Sequence, residues 1–497
     1  MTSDLPPGPA ARDAAQPPAA AGTGRGRRGA LAVFAFVARA TQQLSTFAIT
    51  LLAARFLTPA DYGVYALGIV FVTLIQTLSY TGFYHFIVTA KQDDRAVEAT
   101  SFWLIAGLSL AASALLALAA PQIAAILHAP ELCRVLQLLA LVQPVAGLGA
   151  WYSAVLLRRQ QVNRHFLIMF LQNAIALVGG VLLLWWWQSL LALVAFRFLR
   201  VLSGQLLYGL LTPIRPGRGF DPALARQALR YSGGLYGSRF LTFLQLYAGD
   251  LLLGLMFTTA EAGLYRFGNR IAGGAVEVVQ QPMSSFALTQ LGAAARQDRD
   301  LSGLIARFAG TMAVLTGGVA ATVIVFAPTL MTEVFNPAYA AGIGVTYAMA
   351  MRAVFGLGAQ LLEPALAAQH KTRLGMMFTL VFALGTVLAV LLAAPLGLGV
   401  LAWSQAGTSL LGTAAALWLL RREGIAIGAA LRALVRALGL VLAYALALAQ
   451  VWPAVQAGFG TGLVGLGLGL AVAAALGAVT LLLGWRLRVV SLSAFSG

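Results

Sequence analysis

Seven arginines fall inside runs that are otherwise apolar: Arg39, Arg197, Arg200, Arg239, Arg266, Arg270 and Arg352. Acids in such runs are few, chiefly Asp250, Glu277 and Glu363, so ion pairing alone leaves an excess of positive charge. An ionisable side chain at mid-bilayer costs about 2.5 to 3.5 kcal/mol on insertion scales, and each one calls for a partner or a hydrated cavity. A guanidinium offers a planar fork of donors that suits phosphate oxygens. The chemistry this suggests is the holding of an anion, without bonds made or broken.

Helical spacing sorts these residues by face. Arg39 lies one turn before Gln43 and two before Thr46, which gives the first run a polar stripe. Arg239, Thr242 and Asp250 form the corresponding stripe later in the chain. Arg266, Arg270 and Glu277 return to one side of their run, and Arg197 and Arg200 are one turn apart in another. The candidate binding residues are therefore Arg39, Gln43, Arg197, Arg200, Arg239, Arg266, Arg270 and Arg352. For any one of them snorkelling to an interface is the competing role, most of all for Arg266 near an outer interface. Asp250 and Glu277 are candidates for proton or sodium coupling, because desolvation disfavours the ionised carboxylate while a neighbouring arginine opposes that shift. An ion pair from either acid to Arg239 or Arg270 is the structural alternative.

No phosphate-binding glycine loop, nucleophile motif or metal-ligand spacing occurs, so neither catalytic residues nor a metal or cofactor site is expected. His85, His128, His165 and His370 are scattered, and the single Cys133 cannot form an intramolecular disulfide. The formal charge of +17 does not mark a nucleic-acid partner, since the cations sit in short loops between apolar runs.

The elements that must position these residues are membrane helices. Of the 497 residues 60% are apolar and 10% charged, against about 45 to 50% and about 25% in soluble domains. A hydrocarbon core about 30 Å thick takes roughly 20 helical residues per crossing. That ruler places fourteen spans at 30–56, 62–88, 99–119, 132–157, 166–187, 190–211, 235–257, 264–291, 303–327, 341–368, 374–394, 399–420, 438–456 and 462–485. The expected fold is an all-α polytopic membrane protein with two parallel six-helix lobes and two additional C-terminal helices. Its parts are a basic cytoplasmic tail at 1–29, expected to be disordered, an N-lobe at 30–211, an amphipathic connector at 212–231, a C-lobe at 232–420, a second amphipathic segment at 421–437, and the last two spans with the C-terminal tail at 438–497. With both termini cytoplasmic, 24 of the 33 Lys and Arg residues lie on that side, Arg55 and Arg134 lie opposite, and seven lie within spans.

Two lobes are inferred because the chain repeats itself. Residues 39–68 shifted by 200 match 239–268 at ten positions: Arg39, Leu44, Ala48, Leu51, Leu52, Thr58, Ala60, Gly63, Tyr65 and Gly68. The segment RFLTPADYGVYALG, with its echo FTTAEAGLYRFGNRI, resembles the polysaccharide-export branch of the multidrug/oligosaccharidyl-lipid/polysaccharide (MOP) flippase superfamily. The resemblance implies a bilobed transporter whose V-shaped cavity opens alternately to either leaflet. It implies a Wzx-type flippase in a bacterial cytoplasmic membrane, which moves undecaprenyl-pyrophosphate-linked oligosaccharide repeat units to the periplasmic leaflet for exopolysaccharide or lipopolysaccharide synthesis. Arg39, Arg239 and Arg270 would hold the pyrophosphate, with the polyprenyl tail in membrane lipid and a polymerase or export complex as partner. A lipid II flippase shares the fourteen spans and a cationic cavity. A multidrug extrusion antiporter would need acids for organic cations, and the first span has none.

Overall fold

A computed structural model describes residues 41–42, 45–295, 297, 299–369 and 371–491. They form fourteen principal helices, and no strand occurs among the described residues. The first six are α1 (Ser45–Phe56), α2 (Pro59–Thr89), α3 (Asp94–Ile126), α4 (Pro130–Arg158), α5 (Val162–Trp187) and α6 (Leu190–Leu211). The next six are α7 (Pro222–Met256), α8 (Thr259–Ala295), α9 (Leu301–Val334), α10 (Pro337–Ala368), α11 (Thr372–Ala393) and α12 (Leu398–Arg422), followed by α13 (Gly428–Phe459) and α14 (Leu463–Arg486). Ten of them are long and apolar enough to cross a membrane by length and composition. Helices α7, α8 and α12 have the length but are more polar, and residues 30–40, 43 and 44 of the first expected span lie outside the described residues.

Local chemistry sets where the helices start. Thr58 and Asp61 form a capping box at the head of α2: the Asp61 amide donates to Thr58 Oγ1 at 3.2 Å and the Thr58 amide donates to Asp61 Oδ2 at 3.2 Å. Thr258 and Glu261 repeat it at α8, with the equivalent distances 3.3 and 3.0 Å. Asp93, Asp221, Asp300 and Asn336 cap four other helices through their side chains. Thr58→Ala and Thr258→Ala should each cost about 1 kcal/mol, read from the unfolding of the detergent-solubilised protein. A loss confined to one of them would mean the two hairpin turns do not bear equal load.

The connector at 212–231 and the segment at 421–437 were expected as separate amphipathic pieces, and here the structure differs. Residues 222–231 are the first turns of α7, and 428–436 the first turns of α13. Asp221 caps the helix at Pro222, and no proline follows before Met256. The glycines at 233, 234 and 237 weaken a helix by about 1 kcal/mol each, which packing outweighs. Leu224 and Ala228 are buried in the N-lobe core with Phe83, Phe86, Val97 and Trp151. Further along α7, Leu253 packs in the core that joins the lobes.

Within the N-lobe α3 packs on α4, and α6 on α4 and α5; within the C-lobe α8 packs on α9 and α10, and α10 on α12. Helix α13 lies along α9 and carries α14 on its flank, so both additional helices belong to the C-lobe. Rows of apolar side chains remain exposed, such as Met376, Leu380, Leu384 and Leu388 on α11 and Leu110, Leu115 and Leu118 on α3. That is what a lipid-facing surface presents, and in lipid close packing rather than water exclusion holds helices together.

The two lobes meet most tightly where α2 crosses α8. A Cβ on Gly63 would lie 1.9 Å from the Thr259 carbonyl oxygen and 2.9 Å from the Gly263 nitrogen. One on Gly263 would lie 1.8 Å from the Pro59 carbonyl oxygen. Only two glycines permit this backbone contact. Around it Phe267 packs between Tyr62, Phe335 and Tyr339, with ring centroids 5.9, 5.3 and 4.4 Å away. Arg55 donates to the Val334 carbonyl at 3.2 Å and the Asn336 amide to the Ala54 carbonyl at 2.8 Å. This contact joins the lobes at the Thr58 and Thr258 ends of the two hairpins.

Candidate functional site: arginines between the lobes

Helix α2 stands between two sets of arginines. Its Tyr62 lies within Coulombic reach of Arg266 and Arg270 on α8. Its Tyr65 and Tyr80 lie within reach of Arg197 and Arg200 on α6. A short π-helical stretch, Thr77–Thr81, interrupts α2 and contains Tyr80. Such stretches insert one residue into a helix and re-aim its side chains. These tyrosines are not among the residues expected from charge alone, although Tyr62 and Tyr65 sit one turn apart inside the repeated motif.

The arginines divide by partner. Arg266 is held by the Asp250 carboxylate, and its guanidinium lies 5.3 Å from the centre of the Tyr247 ring. The side chains of this pair are 20% and 8% exposed, so Arg266 is sequestered rather than free for a ligand. Asp250 was expected to pair with Arg239 or Arg270. The hairpin turn decides otherwise: Asp250 and Arg266 each stand eight residues from Thr258 on antiparallel helices, which brings them side by side. In the N-lobe the equivalent positions are Thr50 and Ala66, so the ion pair breaks the pseudo-symmetry.

Arg352 on α10 is fixed by neutral groups. It donates to Gln405 Oε1 at 2.7 Å and to Asn269 Oδ1 at 3.2 Å, and Tyr265 also donates to that Gln405 oxygen at 2.7 Å. Arg239 is exposed on α7, its Nη2 2.9 Å from Nε2 of His85 on α2. Its contact fastens α7 to the N-lobe. Glu277 is exposed on α8, away from the Asp250 pair. Arg39 and Gln43 lie outside the described residues. The hydroxyls of Thr46 and Thr50 donate to carbonyls one turn back, at 3.0 and 2.9 Å, so this part of the polar stripe on α1 satisfies itself.

Arg197, Arg200 and Arg270 differ from the rest. Each is partly buried, and none makes a hydrogen bond or ion pair to a described residue. The Arg197 Nε is inaccessible and unpartnered. Three unneutralised cations midway along α6 and in the fourth turn of α8 are suited to receive an anion that arrives from outside the chain.

The model of a family described as "Polysaccharide biosynthesis protein" matches residues 52–343. The succinoglycan biosynthesis transport protein ExoT of Rhizobium meliloti (strain 1021) is 23% identical over 221 residues, which span 44% of each chain. Less than half of that relative's length is therefore matched. Among solved structures, the lipid II flippase MurJ in an inward closed conformation aligns with a TM-score of 0.68 at 10% identity, over 91% of this chain and 99% of that one. An inward-facing multidrug resistance MATE family transporter of the MOP superfamily aligns with a TM-score of 0.62 at 15% identity, over 77% of this chain and 94% of that one. At these identities the structural likeness is one of fold.

Proposed function

We propose, from the premise that this chain belongs to the family described as "Polysaccharide biosynthesis protein" and shares the fold of a MOP superfamily transporter, that it moves undecaprenyl-pyrophosphate-linked oligosaccharide repeat units from the cytoplasmic to the periplasmic leaflet. The protein acts in a bacterial inner membrane with both termini cytoplasmic. The observation that carries this reading is the set Arg197, Arg200 and Arg270, which no described acid neutralises. The diphosphate supplies the missing negative charge, and the sugars travel between the lobes. The polyprenyl tail stays in lipid, where burial of each methylene favours it by about 0.8 kcal/mol. Separation of α2 from α8 then releases the headgroup on the far side. No bond is broken, so turnover draws on an ion gradient or on consumption of the product.

Removal of the cations should abolish this transport. Arg197→Ala, Arg200→Ala and Arg270→Ala combined should reduce polymer output at least tenfold while the protein reaches the membrane at normal abundance. Wild-type output from the triple variant would eliminate the reading. A lipid II flippase is the second reading, favoured by the coverage of the MurJ fold. Growth of cells depleted of their own lipid II flippase and supplied with this chain would select it.

A further inference from the structure

We infer that Arg197 and Arg200 on α6 form a two-point seat for a diphosphate, so the N-lobe rather than the C-lobe selects lipid diphosphates over lipid monophosphates. This rests on the flippase reading and assigns the headgroup within it. Residues at i and i+3 rise about 4.5 Å along a helix, which sets two guanidinium forks side by side for two phosphates joined by one oxygen. Like charges one turn apart destabilise a helix unless something lies between them. The neighbours of Arg200 include Arg197, Tyr65 and Tyr80, a cation and two phenols. Tyrosine hydroxyls can donate to the remaining phosphate oxygens. The inaccessible Arg197 Nε is a buried donor with no acceptor, a condition that native interiors avoid unless a ligand or water completes it.

The C-lobe offers less. Arg266 is neutralised by Asp250 and Arg352 is fixed by Gln405 and Asn269. Arg270 is left alone, able to engage one phosphate oxygen set but not two. The backs of the two α6 arginines are fixed by packing: Phe196 fills the space beside Gly180, and Leu199 the space beside Gly179, both on α5. The seat is thereby held on a rigid pair of helices.

The test is titration of the purified full-length chain in detergent with undecaprenyl pyrophosphate and with undecaprenyl monophosphate. The wild type should favour the diphosphate at least tenfold. Arg197→Ala and Arg200→Ala should each lower its affinity about ten- to hundredfold, to the level of the monophosphate, as expected for one lost charge-assisted contact. Arg270→Ala should weaken both lipids alike and keep the ratio. Arg197→Lys and Arg200→Lys, which keep the charge without the fork, should recover part of the preference, separating a ligand contact from a folding defect. A ratio that survives in the α6 variants and collapses in Arg270→Ala overturns the seat while leaving the flippase reading intact. Inorganic pyrophosphate that binds as tightly as the lipid would overturn assignment to a lipid headgroup. A wild type that binds neither lipid would instead defeat the flippase reading itself.

Discussion

Leucine in place of Gly63 should stop the proposed lipid-linked transport altogether and leave the Thr58 side of the protein open. The first turns of α2 and α8 touch backbone to backbone, and a Cβ at this position would fall 1.9 Å from a carbonyl oxygen that cannot rotate away. Overpacking between side chains costs about 1 to 3 kcal/mol, and a clash with backbone costs more. A penalty of about 3 kcal/mol on the closed arrangement alone shifts its population more than a hundredfold, since about 1.4 kcal/mol corresponds to tenfold. The measurement is labelling by a membrane-impermeant thiol reagent of Ala66→Cys, a buried position beside the crossing, in a Cys133→Ser background. Labelling should rise at least tenfold with Gly63→Leu. Slow labelling together with normal export would mean that this crossing is not the barrier.

Asp250→Asn should be the most destabilising single change in the C-lobe. It leaves Arg266, only 20% exposed, without its carboxylate. Breaking a buried pair on one side costs about 3 to 5 kcal/mol, because the remaining charge has no compensation. The double variant Asp250→Asn/Arg266→Gln removes both charges and should recover most of that loss, a coupling read from thermal unfolding of the four proteins in detergent. Transport is a separate reading of the same four proteins. A double variant that is stable but no longer responds to a proton gradient assigns the pair to coupling, and one that transports normally confines it to structure. Undiminished stability of Asp250→Asn alone would show that Arg266 reaches water.

Much of the architecture was legible because its causes are local. The repeat at an offset of 200 marked two hairpins, and the structure gives physical reasons for several shared residues. Thr58 and Thr258 cap helices, while Gly63 and Gly263 permit the crossing. Apolar run lengths fixed the helices, since a run long enough to span a bilayer has no other stable form there. The connectors were harder, because a charged amphipathic stretch such as 223–231 forms a helix whether it lies along a surface or extends the next span. The arginines show the sharper limit. Charge and burial identified them, but not which acid or amide would stand opposite. For Asp250 and Arg266 the signal was present in their equal distance from the hairpin turn. For Arg352, whose partners Gln405 and Asn269 come from α12 and α8, no local spacing could reveal it.

Helix α7 carries a consequence for any movement of the lobes. Its first turns are embedded in the N-lobe core through Leu224 and Ala228, and Arg239 meets His85 halfway along it. Its last turns hold Asp250 against Arg266 of the C-lobe. A single unbroken rod thus straddles the seam, anchored at one end in each body. Pulling those bodies apart must either flex the rod between Arg239 and Asp250 or detach one anchor.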